Sequence, residues 1–350
     1  MRHLRLLLLP FSLVYGIIVW LRNLFYDCGW LKQTVFDVPV IVVGNLAVGG
    51  TGKSPMVEYL IRMLVNDYQV ATLSRGYGRT SRGYREVYVE DTAELTGDEP
   101  LQFKRKFPEI TVAVCEDRVE GVRKLVGLGH EVILLDDAYQ HRALRPGLSL
   151  LLFDYHSVLR YRWLLPAGNY RDWFAARKRA DILVVTKTPA GTTARARRVV
   201  RQRLAFNQEV PVLFGGINYG ELTPLLSNAS SAAVLSKRTS VLLVTGIANP
   251  RPLYDYLAPQ VNELIHLSYG DHHPYTSDDV AHIKYRFDAI PNNKKLIVTT
   301  EKDSQRLLSG PYPEMLDGLP IYIVPIQMTF ADEDARLVCD RVLAYVRSGR

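Results

Sequence analysis

The stretch Ala47–Ser54, AVGGTGKS, follows the apolar run VPVIVVGNL (38–46) and precedes PMVEYLIRMLV (55–65). The first run is β-branched and ends in Gly44-Asn45, so it reads as a strand with a turn behind it. In the second, Met56, Val57, Leu60, Ile61 and Leu64 recur at helical spacing, and Pro55 suits a first helical turn, where its missing N–H costs nothing. A glycine-rich turn between a strand and a helix is the setting of a phosphate-binding loop. Gly49, Gly50 and Gly52 let backbone N–H groups turn toward phosphate oxygens with no Cβ in the way. The helix N-terminus adds its partial positive charge. Lys53 is placed to reach the β- and γ-phosphates of a nucleotide and Ser54 to ligate Mg2+, with Val48 and Thr51 filling the loop. The pattern G-x-x-x-x-G-K-[ST] asks for glycine where Ala47 stands. The alternative is a tight strand–helix turn that happens to contain Gly-Lys-Ser.

Outward from the loop the same style repeats. QVATLSRGYGR (69–79), ITVAVCEDR (110–118), EVILLDD (131–137), LSLLLFD (148–154) and ADILVVTK (180–187) are further strands, separated by helical stretches. That alternation predicts an α/β fold with a parallel sheet of the P-loop type and sites at the C-terminal ends of the strands. TTARARRVVRQRLA (192–205) reads as a basic surface helix, and the pattern loosens across 206–236, taken as a linker or hairpin. SVLLVTGIANP (240–250), KLIVTTEKD (295–303) and LPIYIVPI (319–326) then predict three more strands. The expected division is an apolar segment over 1–30, a P-loop domain over 31–205 and a smaller α/β domain over 206–350.

The chain has 350 residues, 47% of them hydrophobic, enough for two domains with buried cores. A net charge of +7 suits an acidic partner: nucleic acid, anionic lipid or a phosphorylated substrate. Cys28, Cys115 and Cys339 are far apart and in no ligand spacing, which argues against a disulfide framework. Leu6–Leu21 carries no charge and is flanked by Arg2, Arg5 and Arg22, with Trp20 and Trp30 at interfacial positions. As a helix it would span about 24 Å, a little short of a comfortable crossing. The segment is expected to be a membrane-associated anchor through which the chain meets the membrane, with a core helix and a signal sequence as alternatives; no small-residue cleavage site follows the apolar run.

Several polar constellations remain. Asp136 and Asp137 end a buried strand, where a P-loop enzyme keeps the carboxylate that holds Mg2+; a solvated strand end is the alternative. Asp98 and Glu99 in TGDEPLQF (96–103) suit either a helix cap or a general base. The loop SRGYGRTSRGYR (74–85) interleaves Arg75, Arg79, Arg82 and Arg85 with Tyr77 and Tyr84, as an RNA-binding segment, an anion clamp or a solvated loop would. Arg118 and Arg171 are further anion contacts by type. GDHHPYT (270–276) places Asp271 beside His272 and His273, consistent with metal binding or with proton handling.

Taken in order, VGNLAVGGTGKSP, LSRGYGR, GDEP, LLDDAYQHR, LPAGNYRDW, VTGIANP, DHHPYT and TEKD resemble the motifs of the tetraacyldisaccharide 4′-kinases of lipid A biosynthesis, over nearly the whole chain. The resemblance implies transfer of the γ-phosphate of ATP, with Mg2+, to the 4′-hydroxyl of a tetraacylated glucosamine disaccharide 1-phosphate. It places the reaction at the cytoplasmic face of the inner membrane, on an anionic lipid surface, with a lipid A disaccharide precursor rather than nucleic acid as partner. It also implies Asp98 as base, His272 as its partner, and Lys53 with Arg75 at the transferring phosphate. Tyr77, Arg118, His141, Asn169 and Arg171 match substrate or phosphate contacts, and Ser54, Asp136 and Asp137 the metal site. Ala138 and Tyr139 replace a Gly-Phe pair, which raises the question of the backbone turn at Ala138, and Asp172 replaces a commoner Glu. No role follows for Thr300–Asp303. A GTPase switch is disfavoured because neither VTKTP nor TEKD forms the guanine-reading N/T-K-x-D run. A nucleic-acid-binding ATPase is the other competing class.

Overall fold

The computed structural model describes residues 5–204, 210–226, 233–309 and 311–349. The first part of the chain forms α1 (Leu9–Asp27), β1 (Val40–Asn45), α2 (Lys53–Leu64), β2 (Val70–Ser74), β3 (Arg85–Glu86), α3 (Asp98–Lys106), β4 (Thr111–Val114), α4 (Arg118–Gly127) and β5 (Val132–Asp136). Then come β6 (Leu148–Asp154), β7 (Ile182–Thr186), α5 (Ala194–Leu204), β8 (Val212–Tyr219) and β9 (Thr223–Pro224). The last part holds β10 (Ser240–Thr245), β11 (Glu263–Ser268), α6 (Ser277–Asp288), β12 (Lys295–Thr300), α7 (Glu301–Leu307), β13 (Ile321–Val324), β14 (Ile326–Phe330) and α8 (Asp332–Ser348).

Among the described residues, one sheet has the order β14-β8-β7-β6-β1-β5-β2-β4-β3 and is parallel except at its two edges, where β14 pairs with β8 and β3 with β4 antiparallel. β1 lies at the centre, with β5 on one side and β6 on the other. The chain proceeds outward in both directions from it, so the turn after β1 sits at the switch point of the sheet. All six β1 residues are buried, Ile41 and Val43 on one face and Val40 and Val42 on the other. Cover on both faces explains why the run does not alternate. The α2 positions anticipated from spacing, Met56, Val57, Leu60, Ile61 and Leu64, are all solvent-inaccessible in the first of these cores.

A second sheet has the order β11-β10-β12-β13-β9, parallel but for β9. The two sheets do not divide the chain at 205/206. β8 and β14 both join the large sheet, and α8 buries Val338, Val342 and Val346 in the same core as α2. Tyr345 Oη accepts from the Val40 N–H at 3.0 Å, and Asp334 accepts from the Phe214 N–H at 3.0 Å, so the last helix ties the first strand to β8. VLFGGINY (212–219) contains three residues, Gly215, Gly216 and Asn218, that weaken a strand pattern; it pairs because β7 and β14 flank it. Part of the stretch expected as a linker, 206–209 and 227–232, lies outside the described residues.

Helix α1 is the one helix among the described residues long and apolar enough to cross a membrane by length and composition. Leu7, just before it, and Phe11, Leu13, Val14, Ile17 and Ile18 within it are exposed. The opposite face is fastened to the segment 164–173. Ser12 Oγ donates to the Leu164 carbonyl at 3.1 Å, Trp173 Nε1 to the Gly16 carbonyl at 2.8 Å and Tyr15 Oη to the Arg171 carbonyl at 2.8 Å. Asn23 Nδ2 donates to Asp172 at 2.9 Å. A Cβ on Gly16 would lie 2.8 Å from Trp173 Cζ2 and 2.9 Å from Leu164 Cδ1. Replacing Gly16 by Leu is therefore expected to push α1 off the body, lowering stability by about 1–3 kcal/mol, read from chemical denaturation in detergent.

Candidate active site

The loop after β1 is held by its own side chains. Gly49 and Gly52 take φ of +111° and +82°, whereas Ala47 is not among the residues with positive φ. A side chain at position 47 therefore costs no backbone strain, and Ala47 forms a bridge to Tyr170. Asn45 Nδ2 donates to Thr51 Oγ1 at 2.7 Å, and Thr186 Oγ1 to the Thr51 carbonyl at 2.7 Å. Val48 N–H donates to the Asn169 carbonyl at 2.8 Å. The Lys187 ammonium caps the Gly50 carbonyl and lies 3.3 Å from Asp154. Gly52 is the N-cap of α2, so the helix starts at Lys53 with its N–H groups facing the loop.

Carboxylates gather beside the loop at the end of β5. Asp136 is 1% exposed and neither of its oxygens has a hydrogen-bond partner among the described residues. Burial first, and the neighbouring Glu99 next, push its carboxyl up to about 8. Asp137 takes φ of +51°, so the left-handed turn falls at an aspartate and Ala138 needs no glycine. Asp137 pairs with Arg171 and lies 3.8 Å from Lys53. Burial raises the Asp137 carboxyl, but the Arg171 hydrogen bond and Lys53 outweigh it and hold the group low. Arg171 also reaches Asn45, so it braces the strand ends rather than facing solvent unpaired. Asp172, 1% exposed, accepts from Asn23, from the Trp173 N–H and from Arg179, so this shorter carboxylate anchors α1 and the segment after it.

Asp98 begins α3 and is buried. One oxygen accepts from the Glu99 N–H at 3.0 Å, a local helix-start contact, and the other meets His272 Nδ1 at 3.0 Å. The N-cap of α3 is Gly97, not Asp98, so the carboxylate is left to face His272. His272 comes from the second sheet side, with φ of +56° and its N–H on the Gly246 carbonyl. The ring of Tyr77 lies 5.7 Å from that of His272. His273 turns away: it stacks on Tyr269 and bonds Asp279 at 2.9 Å. Among the described residues there is no cluster of three or more His, Cys, Asp and Glu side chains of the kind that grips a metal alone. Any cation at Asp136 would have to share its shell with Ser54 and phosphate oxygens, and the two orphaned Asp136 oxygens fit that use.

A cleft of about 420 Å3 opens over these groups, and its walls join Arg75, Arg118, His141 and Asp98 with Tyr15 and Arg22 of α1. Arg118 is buried with its Nε unpartnered, and burial followed by Arg75 lowers its pKa. Burial and then Arg118 lower that of His141 too. Arg75 and Arg118 thus add positive charge to a cleft that also holds Asp136 and Asp137. Asn169 stands apart from the cleft lining: its side chain accepts from Arg5 at 3.1 Å. In the arginine-tyrosine loop, Arg79 pairs with Glu116 at 2.6 Å and Arg85 with Asp91 at 2.7 Å, while exposed Arg75 and Tyr77 line the cleft. Sequence reading gives Glu99 only as a helix cap or general base, and it does not place Tyr15 or Arg22 at the cleft. Glu99, which accepts from Ser54 Oγ at 3.1 Å, pairs with Lys302. Tyr15 lies in the segment read as apolar, and Arg22 reads only as its basic flank. Neither carried a local signal, since each acts on partners distant in sequence.

The Asp98 hydrogen bond raises the pKa of His272 against the opposing effect of burial, while burial of Asp98 is outweighed by the His272 bond and Lys302, which lower its pKa. A histidine raised in the folded state contributes stability that is complete below about pH 6.5 and lost as pH rises through the folded value. The stability gap between the native chain and His272→Gln is thus expected to narrow from pH 6 to pH 9. Denaturant midpoints across that range check it; a gap that widens with pH contradicts the pairing.

With this geometry in view, comparisons with known proteins are specific. The sequence model of the family Tetraacyldisaccharide-1-P 4′-kinase matches residues 4–344. The tetraacyldisaccharide 4′-kinase of Phocaeicola vulgatus is 43% identical over 346 residues, covering 97% of this chain and 94% of its own. That of Flavobacterium psychrophilum is 39% identical, covering 99% and 98%. LpxK from Aquifex aeolicus, solved in complex with ATP, is 30% identical and superposes with a TM-score of 0.74 over 98% of this chain and 99% of that one. By sequence over nearly its full length and by fold, the chain belongs to the tetraacyldisaccharide-1-P 4′-kinase family.

Proposed function

We propose that the chain moves the γ-phosphate of ATP, bound with Mg2+ on the loop 47–54, to the 4′-hydroxyl of a tetraacylated disaccharide 1-phosphate presented in the cleft beside Asp98. The observation that carries this reading is the meeting of Asp98 and His272 at 3.0 Å in a cleft that also contains the end of β5. Membership of a kinase family supplies the reaction class.

Lys53 and Arg75 hold the transferring phosphoryl group, whose loose transition state asks for positioning and charge neutralisation more than covalent chemistry. Ser54, Asp136 and Asp137 are the residues to hold Mg2+, which supplies charge neutralisation between the β- and γ-phosphates. Asp98 takes the proton of the sugar hydroxyl late in the transfer, and His272 receives or shares it across their hydrogen bond. Tyr77, Arg118 and His141 bind the acidic disaccharide, while Arg171 braces the strand ends and the Asn169 carbonyl braces the loop at Val48.

The apolar face of α1 lies in the outer layer of the cytoplasmic leaflet of the inner membrane rather than across it. Its polar contacts with the segment 164–173 run from Ser12 to Asn23, so a crossing helix would drag the kinase body into the lipid. Anionic lipid suits the positive charge of the chain. Tyr15 and Arg22 then bring the cleft to the headgroup level, where four acyl chains keep the acceptor sugar.

The direct test is transfer of label from γ-32P-ATP to a tetraacyldisaccharide 1-phosphate in mixed micelles, with short RNA, a peptide and water as competing acceptors. Labelling of the glycolipid alone is expected; labelling of RNA in its place overturns the acceptor. Asp98→Ala should lower turnover about 10²-fold or more with ATP affinity nearly unchanged, read by nucleotide titration beside steady-state rates. Undiminished turnover removes Asp98 from the chemistry.

A further inference from the structure

The run Thr300–Asp303, TEKD, stands between the two sheets. Thr300 ends β12 and caps α7, its hydroxyl accepting from the Asp303 N–H at 3.1 Å. Asp303 is fully buried and accepts from the Gly246 N–H at 2.9 Å, Tyr275 Oη at 3.1 Å and Arg306 at 2.9 Å, so it locks the start of α7 into the second sheet. Glu301 pairs with Lys106 of α3 and accepts from the Ile326 N–H at 3.0 Å. Three of the four residues therefore build a rigid mount. The fourth, Lys302, leaves it and pairs with Glu99, the residue that also receives the Ser54 hydroxyl.

The charge around that ammonium is unbalanced without it. Asp98, Glu99 and Asp136 gather there, and the Asp136 oxygens have no partner. Lys53 faces Asp137 at 3.8 Å, and His272 at 3.0 Å and Arg306 at 3.9 Å face Asp98, so the cation paired with Glu99 is Lys302. The Ser54 hydroxyl donates to Glu99 at 3.1 Å, so a metal that takes the Ser54 oxygen would sit beside the Glu99–Lys302 pair. We propose that Lys302 is a positioning residue: its ammonium, mounted on the second sheet, is the resident counter-ion of the Glu99 group, and a divalent cation entering between Ser54 and Asp136 displaces it. The proposal rests on the metal-assisted kinase reading above. It gives the second sheet a direct hold on the nucleotide side of the cleft, and metal loading loosens one tie between the sheets.

The test uses the full-length protein in detergent micelles and Mn2+ as the probe, with free Mn2+ counted by electron paramagnetic resonance. Native protein, Lys302→Met, Lys302→Gln and Lys302→Arg are titrated without nucleotide and again with ADP. Removing the resident ammonium is expected to tighten nucleotide-free Mn2+ binding fivefold or more in the Met and Gln variants, while Arg keeps the native value. Lys124→Met deletes an equal charge from the exposed pair with Glu120, away from the site, and should leave the Mn2+ affinity unchanged. If Met does not fold, judged by its melting curve, Gln carries the comparison. Mn2+ binding that is unchanged or weaker without Lys302, or tightened equally by Lys124→Met, overturns the exchange while the metal site stands. Native protein that takes up no Mn2+ even with ADP overturns the metal reading and this proposal together.

Discussion

A carboxylate with no partner in the protein interior is the constraint around which the rest is arranged. Asp136 sits at the end of the central β5, 1% exposed, with both oxygens unpaired. An ionised group in that state is costly, and the protein answers by raising its pKa to about 8 instead of pairing it. Proteins tolerate such a group where something arrives to satisfy it. The neighbours agree: a loop with outward N–H groups, a hydroxyl at Ser54, and ammonium groups at Lys53 and Lys302 held by adjacent carboxylates. Charge is held locally in pairs beside the unpaired carboxylate.

The fold makes that storage possible by bringing the ends of distant segments to one place. β1 and β5 are paired neighbours, so the loop and the carboxylate are adjacent by strand register, Val43 beside Asp136. α3 carries Asp98 and Glu99 against the same edge, and the second sheet delivers His272 and Lys302 opposite them. The contacts of Lys106 with both Glu58 and Glu301 fix the relation of α2, α3 and α7 behind the site. The apolar helix α1 is part of the same construction, because Asn23 and Arg179 share Asp172 while its neighbour Arg171 clasps Asp137. The anchor of α1 and the brace of the β5 end are two neighbours in one segment.

Much of this was legible in the amino-acid order, and the physical reason is that the legible signals are local. Apolar runs, a helical repeat at Met56–Leu64 and glycines at 49 and 52 act within a few residues, so the loop and its flanking strand and helix could be read directly. The motif resemblance extended the reading to the family. Ala47 and Ala138 looked like departures, yet the left-handed positions are Gly52 and Asp137, so neither alanine meets a backbone penalty. Backbone angles of this kind are not written in residue type alone.

What the sequence by itself determined is the α/β class, the phosphate loop and the residues available for chemistry, because periodicity and turn propensity depend on near neighbours. Tertiary structure alone decided that β8, β14 and α8 return to the first sheet, that His272 rather than His273 meets Asp98, and that Lys302 reaches Glu99. Each joins residues far apart along the chain, and no spacing rule encodes them: strand pairing and buried charge balance are settled only when the distant partners are packed into the same space.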